Sequence, residues 1–381
     1  MSLAKNVHLL RRAMAALLCL TMPLASVSHA DSASSFAYAR APYQFVFPRD
    51  HASHPQYRTE WWYYTGHLQT KGGRRFGYEL TFFRYGLRPG DPPRRRGQSN
   101  WRGNELFPAH FAITDEAGQR FVHVEQLMRE ALNEGFASAT QLAVRSGSWT
   151  LAGKPERDPL RERMVLHADA GSNALDLIQE PQKPPAIHGS GGVSRKSACL
   201  SCASHYYSYT RLRTTGTLTF DGTRFPVAGL SWMDHEFGSA ELAADQVGWD
   251  WFSIQLNDGR ELMLYVLRQK DGSVTPQSSG SLIERDGSVH ALALAEFSAQ
   301  ASGFWESPHT AARYPSGWRV RVPSKRIDVT LTPTVADQEL AEPSGTSYWE
   351  GAVDVYNANG SAKPTGVGYV ELTGYAQPVR L

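Results

Sequence analysis

The sequence predicts an all-β chain whose antiparallel strands form two barrel or sandwich domains. Three observations carry this expectation. Short segments alternate with a period of two, aspartate–glycine pairs separate several of them, and helical periodicity is nearly absent. In chain order, residues 61–68 are aromatic and rich in strand formers. Residues 76–84 put Phe76, Tyr78, Leu80 and Phe82 on one face. Segments 215–220 and 223–227 flank Asp221-Gly222, and segments 249–257 and 260–268 flank Asp258-Gly259. Both pairs are two-residue hairpin signals. Segments 318–322, 327–331, 351–355 and 367–373 add four more strands, and one helix is expected near residues 125–132. Two long polar loops interrupt the pattern. One spans 86–103 and carries Arg94, Arg95 and Arg96, while the other spans 179–203 and is rich in Pro, Gly and Ser.

The first thirty residues read as a leader rather than as part of the fold. Lys5, Arg11 and Arg12 precede an apolar run over 13–25, and Ser28-His29-Ala30 is a small-residue cleavage site. A signal peptide over 1–30 implies a periplasmic or secreted protein. The Arg11-Arg12 pair leaves twin-arginine export open. Residues 31–381 suffice for two domains, expected over 31–228 and 229–381. The formal net charge is +2, and the three cations of the leader account for it. A nearly neutral remainder gives no electrostatic case for nucleic acid or an anionic membrane surface. Cys199 and Cys202 form a C-x-x-C. In an oxidising compartment it reads as a small disulfide loop. A zinc site with His188 or His205 lacks four ligands at familiar spacing, and a thioredoxin-type motif lacks its βα context.

Familiar catalytic signatures are missing: no G-x-S-x-G elbow, no H-E-x-x-H, no Walker loop. Three clusters remain. In Glu60-Trp61-Trp62-Tyr63-Tyr64-Thr65-Gly66-His67-Leu68, alternation puts Trp61, Tyr63, Thr65 and His67 on one face. That face either lines a cavity or packs as core. In Ser231-Trp232-Met233-Asp234-His235-Glu236-Phe237-Gly238, three adjacent ionisable side chains sit among apolar neighbours. Such groups are costly to bury without partners, so they mark either a site or a solvated turn. A regular strand would point His235 away from Asp234 and Glu236, so a metal site using all three would need a bend. In the third cluster, Trp249, Trp251, Ser253 and Gln255 share a face, and the paired strand offers Tyr265. Indole and phenol walls with a few polar groups fit a large apolar ligand.

The blocks 60–68, 76–84, 206–212, 232–238, 249–255 and 366–375 together resemble the lipocalin-like secreted hydrolase family. That family includes AttH-type proteins and, more distantly, carotenoid 1,2-hydratases. The resemblance runs from about Tyr43 to Tyr375 and implies two lipocalin-like antiparallel β-barrel domains with a ligand cavity near their junction. It also implies cofactor-free hydration of an isoprenoid-like alkene. Asp234, His235, Trp251 and Tyr265 would then correspond to the acid and aromatic groups of the hydratases. With Glu236, the candidate catalytic set is Asp234, His235, Glu236 and Tyr265. Trp61, Tyr63, His67, Tyr78, Phe82, Trp232, Trp249, Trp251 and Gln255 are the candidate binding residues. Two rivals stay open: a periplasmic carrier of hydrophobic molecules linked to an ABC export system, and a hydrolase with an unorthodox site. A carrier needs the aromatic cavity but no titrating acid.

Overall fold

The computed structural model describes residues 35–90, 103–199, 201–240, 242–341, 347–360 and 362–379. The leader 1–30 and the Arg94-Arg95-Arg96 run lie outside them. The N-terminal sheet contains β1 (Thr59–Thr70), β2 (Arg75–Gly86), β3 (Glu105–Asp115), β4 (Arg120–Arg129), β5 (Gly135–Ala137), β6 (Ala143–Ser146), β7 (Trp149–Lys154), β8 (Arg163–Ala170), β9 (Asn173–Pro181), β10 (Ala186–Ile187), β11 (Ser194–Arg195), β12 (Ala203–Phe220) and β13 (Thr223–Ala240). Its order is β4-β3-β2-β1-β13-β12-β9-β8-β7-β6-β5, with β10 and β11 paired to β12. The end strands β4 and β5 touch, so the sheet nearly closes into a barrel.

The second sheet contains β14 (Gln246–Leu256), β15 (Glu261–Gln269), β16 (Ser279–Ile283), β17 (Val289–Ala293), β18 (Ser298–Ala301), β21 (Trp318–Val322), β22 (Ile327–Pro333), β23 (Glu339–Leu340), β24 (Tyr348–Asn357) and β25 (Gly366–Leu372). Its order is β17-β16-β15-β14-β25-β24-β22-β21-β18, with β23 paired to β24. A separate hairpin joins β19 (Phe304–Glu306) to β20 (Arg313–Pro315). The fold is all-β, with two lipocalin-like antiparallel barrels, the second a half-barrel. The hairpin turns obey their sequence signals. Asp221 and Gly222 both take positive φ, 49° and 76°, as a type I′ turn requires.

Two expectations are corrected. The segment 125–132 is not helical: residues 120–129 are strand β4, paired along β3 from Leu106↔Arg129 to Asp115↔Arg120. Glu125, Gln126, Leu127 and Met128 are good helix formers, but an available strand edge outweighs that modest preference. The boundary at 228/229 falls inside β13, which runs unbroken through it. The chain leaves the first sheet after Ala240 and enters the second at Gln246.

The first barrel is filled rather than hollow. Trp62, Tyr64, Phe76, Tyr78, Leu80, Phe82, Trp149 and Tyr207 pack inside it. The second sheet buries Phe252, Trp318, Trp349 and their neighbours on its own concave side. A third cluster, with Tyr63, Tyr206, Trp232, Trp251, Tyr265 and Tyr369, lies where the two sheets face each other. Polar ties cross this junction. Arg75 Nη2 meets Asp354 Oδ1 at 2.6 Å, Lys183 Nζ meets Glu261 Oε2 at 2.7 Å, and His110 Nδ1 lies 2.6 Å from the Tyr348 hydroxyl.

Close approach at the junction needs a missing side chain. A Cβ on Gly77 would stand 2.6 Å from the Tyr369 hydroxyl and 2.8 Å from the Ala352 Cβ, both on the opposing sheet. Gly77→Val should therefore force the sheets apart and destabilise the protein by about 1–3 kcal/mol. Urea unfolding tests this. A midpoint unchanged from wild type would show that the junction does not depend on this approach.

Candidate active site

Strand β13 builds the site because alternation sends its side chains into two different interiors. His235 and Met233 point into the first barrel, whereas Trp232, Asp234 and Glu236 point toward the second sheet. On the barrel side His235 is fully buried, stacked on Trp62 at 4.8 Å. Its Nε2 lies 3.0 Å from Glu60 Oε1 and its Nδ1 3.1 Å from the Tyr207 hydroxyl. Arg84 Nε donates to Glu60 Oε2 at 2.9 Å, and His54 Nδ1 sits 2.8 Å from Glu60 Oε1. Hydrogen bonds from His235 and His54, with the Arg84 charge, hold Glu60 well below the usual carboxylate range despite burial. His54, Glu60 and His235 offer donor atoms within 4.8 Å of one another. The Arg84 pairing already neutralises Glu60, so the cluster reads as an internal charge network rather than as a metal cradle.

On the opposite face lies a hollow enclosing about 800 Å³ of atom-free space, its open mouth included. The cavity proper has a volume of about 90 Å³. Trp61, Tyr63, Thr81 and Phe83 come from β1 and β2, and Tyr206, Asp234 and Glu236 from β12 and β13. Trp249, Trp251, Tyr265, Leu267, Tyr348 and Glu371 come from the second sheet, and Lys196 and Leu242 close the remainder. Most of this surface is indole, phenol or alkyl, with a few convergent polar groups, the pattern of small-molecule sites.

Three donors fix Asp234. The Tyr206 hydroxyl donates at 2.6 Å, Trp232 Nε1 at 2.6 Å, and Ser208 Oγ adds a third bond. Trp251 Nε1 in turn donates to the Tyr206 oxygen at 3.1 Å. Burial lifts the Asp234 carboxyl to about 7, with the three donors working against the shift and the Glu236 charge adding to it. Glu371 is also lifted to about 7 by burial, although Trp249 Nε1 donates to it at 2.8 Å. Behind the wall, the Tyr63 hydroxyl donates at 2.6 Å to Glu350, whose carboxyl burial pushes well above its ordinary range. Glu236 is held differently, paired to Lys196 Nζ at 2.6 Å and to Ser204. The Lys196 ammonium lies 5.1 Å from the Tyr206 ring centre and 4.5 Å from that of Tyr265. Its segment is tied by the Lys196 N–H to the Cys202 carbonyl at 2.9 Å, and Cys199 and Cys202 are disulfide-bonded.

The AttH-like family model matches residues 38–375. The chain belongs to the AttH-like family. A solved structure assigned to AttH from Nitrosomonas europaea is 31% identical, with 89% of this chain and all of that one covered and a TM-score of 0.78. Two further structures share the fold at lower identity. Kievitone hydratase from Nectria haematococca is 16% identical, covers 90% of this chain and 97% of its own, and has a TM-score of 0.64. CghA with Sch210972 is 13% identical, covers 89% and 97%, and has a TM-score of 0.51. Comparison with curated proteins gives no match.

In this AttH-like chain the hollow gathers Asp234, Glu236, Tyr265, Trp61, Tyr63, Trp249 and Trp251, with Trp232 bonded to Asp234 beside it. Tyr265 presents its ring, but its hydroxyl is held by Ser194, Ser279 and the Arg195 carbonyl. Four expected site residues lie elsewhere. His235 faces the barrel network. Tyr78 and Phe82 belong to the barrel core, because the registers Tyr63↔Thr81 and Trp61↔Phe83 turn the other face of β2 to the hollow. His67 Nε2 bonds the Gly368 carbonyl at 2.8 Å, farther along the junction. A fifth, Gln255, donates to the Thr210 and Ser231 carbonyls and ties the sheets together instead of lining the hollow. Sequence reasoning missed Thr81, Phe83, Lys196, Tyr206, Leu242, Leu267, Tyr348 and Glu371. Glu371 carried a readable signal, a lone carboxyl in the apolar run 366–372.

The raised Asp234 carboxyl has a signed consequence for stability. Its ordinary value is 3.8 and its folded value about 7, so across that window the folded state holds a proton that the unfolded state has lost. Stability is therefore drained as pH rises from 3.8 through 7 and stays reduced above. Asp234→Asn removes that drain, so its melting temperature should gain on wild type progressively as pH rises through this range. Thermal melts in a pH series test this, and a difference independent of pH would contradict it.

Proposed function

We propose that the protein is a cofactor-free acid–base enzyme that hydrates, or in reverse dehydrates, an alkene in a hydrophobic, isoprenoid-like small molecule. One observation carries the reading: a carboxyl able to change charge near neutrality faces an aromatic hollow between the two sheets. Adding water to an isolated alkene needs a proton donor, a wall that tolerates positive charge, and a base for the water. Asp234 supplies an exchangeable site. The faces of Trp61, Trp249, Trp251 and Tyr206 supply electron-rich surface for a transient carbocation. Lys196 bonded to Glu236 keeps that second acid paired and leaves Asp234 to exchange protons with a ligand.

The cavity volume of about 90 Å³ is small for a ligand site, so it favours a compact ligand or one that protrudes through the mouth. A carotenoid, the substrate class implied by the family resemblance, would have to extend through the mouth. Action outside the cytoplasm belongs to this proposal, supported by the leader-like residues 1–30 and by the Cys199–Cys202 disulfide. A partnership with an ABC export system rests on the resemblance alone.

The test uses ligand that co-purifies with the full protein, incubated in 18O-labelled water and followed by mass spectrometry. Wild type should add the mass of one labelled water. Asp234→Asn should retain the ligand while the rate falls about 100-fold or more. A ligand that stays chemically unchanged with wild type would favour carriage, and undiminished turnover in Asp234→Asn would remove Asp234 from the chemistry.

A further inference from the structure

The hollow contains a second carboxyl that the reading above does not use. Glu371 lies on β25, in the sheet opposite Asp234, with Trp251 on β14 and Glu350 on β24 as its register partners. It lines the hollow, where a ligand can reach its carboxyl. Among the described residues its one hydrogen-bond donor is Trp249 Nε1. Asp234 has three donors and no acceptor to which its own proton is naturally directed: two hydroxyls and an indole N–H all point at its oxygens. Donors stabilise the charged form, and three of them act on Asp234 against one on Glu371.

The charges that face Glu371 sharpen this difference. Asp234 and Glu236 approach from β13, Glu350 stands beside it on β24, and Trp251 is its neighbour on β14. Lys196, from the segment before the disulfide, is engaged by Glu236. The Asp234 and Glu236 charges disfavour a negative charge on Glu371, while burial holds the Glu350 carboxyl itself toward its neutral form. Two carboxyls that repel one another across a shared space titrate as a pair, one ionising before the other.

We infer that Glu371 is the proton donor and Asp234 the proton acceptor of a two-carboxyl hydration site. The inference rests on the hydration reading. The Glu371 O–H bond breaks and its proton forms a C–H bond with the alkene π pair, leaving a carbocation and the Glu371 carboxylate. A water oxygen forms the C–O bond to that cation, and one water O–H bond breaks toward the Asp234 carboxylate. The sum is one water added. A proton then passes from Asp234 back to Glu371 through solvent at the mouth. Dehydration follows the same steps in reverse.

The experiment has two arms. Carboxyl-edited infrared titration of the ligand-free full chain should show that Glu371→Gln removes the carboxyl that ionises at the higher pH. The Asp234 midpoint should stay in place, because Glu371 is still protonated and uncharged while Asp234 ionises. Loss of the earlier-ionising group instead would overturn the assignment. In the second arm, co-purified ligand in 18O-labelled water should gain label about 100-fold or more slowly with Glu371→Gln than with wild type. The amide oxygen still accepts from Trp249, and an unchanged near-ultraviolet circular dichroism spectrum checks the fold. Label gained at the wild-type rate overturns Glu371 as donor while hydration stands. No label with wild type overturns the hydration reading and the inference with it, whatever the titration shows.

Discussion

Strand β13 has no solvent face around its ionisable residues. One side looks into a filled barrel and the other into the junction between sheets, so each polar residue on it must find partners in whichever interior it enters. His235 enters the barrel and meets Glu60 and Tyr207, while Asp234 enters the junction and meets Tyr206, Ser208 and Trp232. The two networks differ in kind. Around Glu60, Arg84 cancels a buried charge at 2.9 Å. Around Asp234 the hydrogen-bond partners Tyr206, Ser208 and Trp232 are neutral dipoles, which can orient a carboxyl but do not cancel its charge. The first arrangement makes a rigid spine. The second makes a group that can gain and lose a proton.

The strands and hairpins were legible because period-two alternation and Asp-Gly turns act locally. Asp221-Gly222 joins β12 to β13, and Asp258-Gly259 lies between β14 and β15, as the sequence implies. The site was legible only in part. Of the face that alternation gives to Trp61, Tyr63, Thr65 and His67, Trp61 and Tyr63 border the hollow, whereas the candidate binding residues Tyr78 and Phe82 lie on the barrel side. Aromatic residues occupy both faces of β1, so hydrophobicity does not reveal which face of β2 accompanies which face of β1. Only the register Tyr63↔Thr81 does, and register is set by tertiary pairing. Glu371 shows the same limit. It stands out as one carboxyl in an apolar strand, but its relation to Asp234 exists only once the two sheets face each other. Lys196 falls inside 179–203, whose Pro-, Gly- and Ser-rich composition predicts a long loop and does not single out the lysine.

An eight-stranded lipocalin barrel commonly holds its ligand in the lumen. Here Trp62, Trp149 and several tyrosines fill the corresponding space, and the hollow forms outside the barrel against the second sheet. That displacement changes what sets the geometry of the chemistry. Asp234 belongs to one sheet and Glu371 to the other, so their separation is the spacing of the junction. The spacing is fixed by the close approach at Gly77, by the Tyr63–Glu350 bond and by Gln255 reaching the Thr210 and Ser231 carbonyls. All of these come from regular strands, which hold side chains more tightly than loops do. A reacting alkene between the walls therefore meets groups on two rigid surfaces, and the ties between the sheets govern how closely those surfaces can grip it.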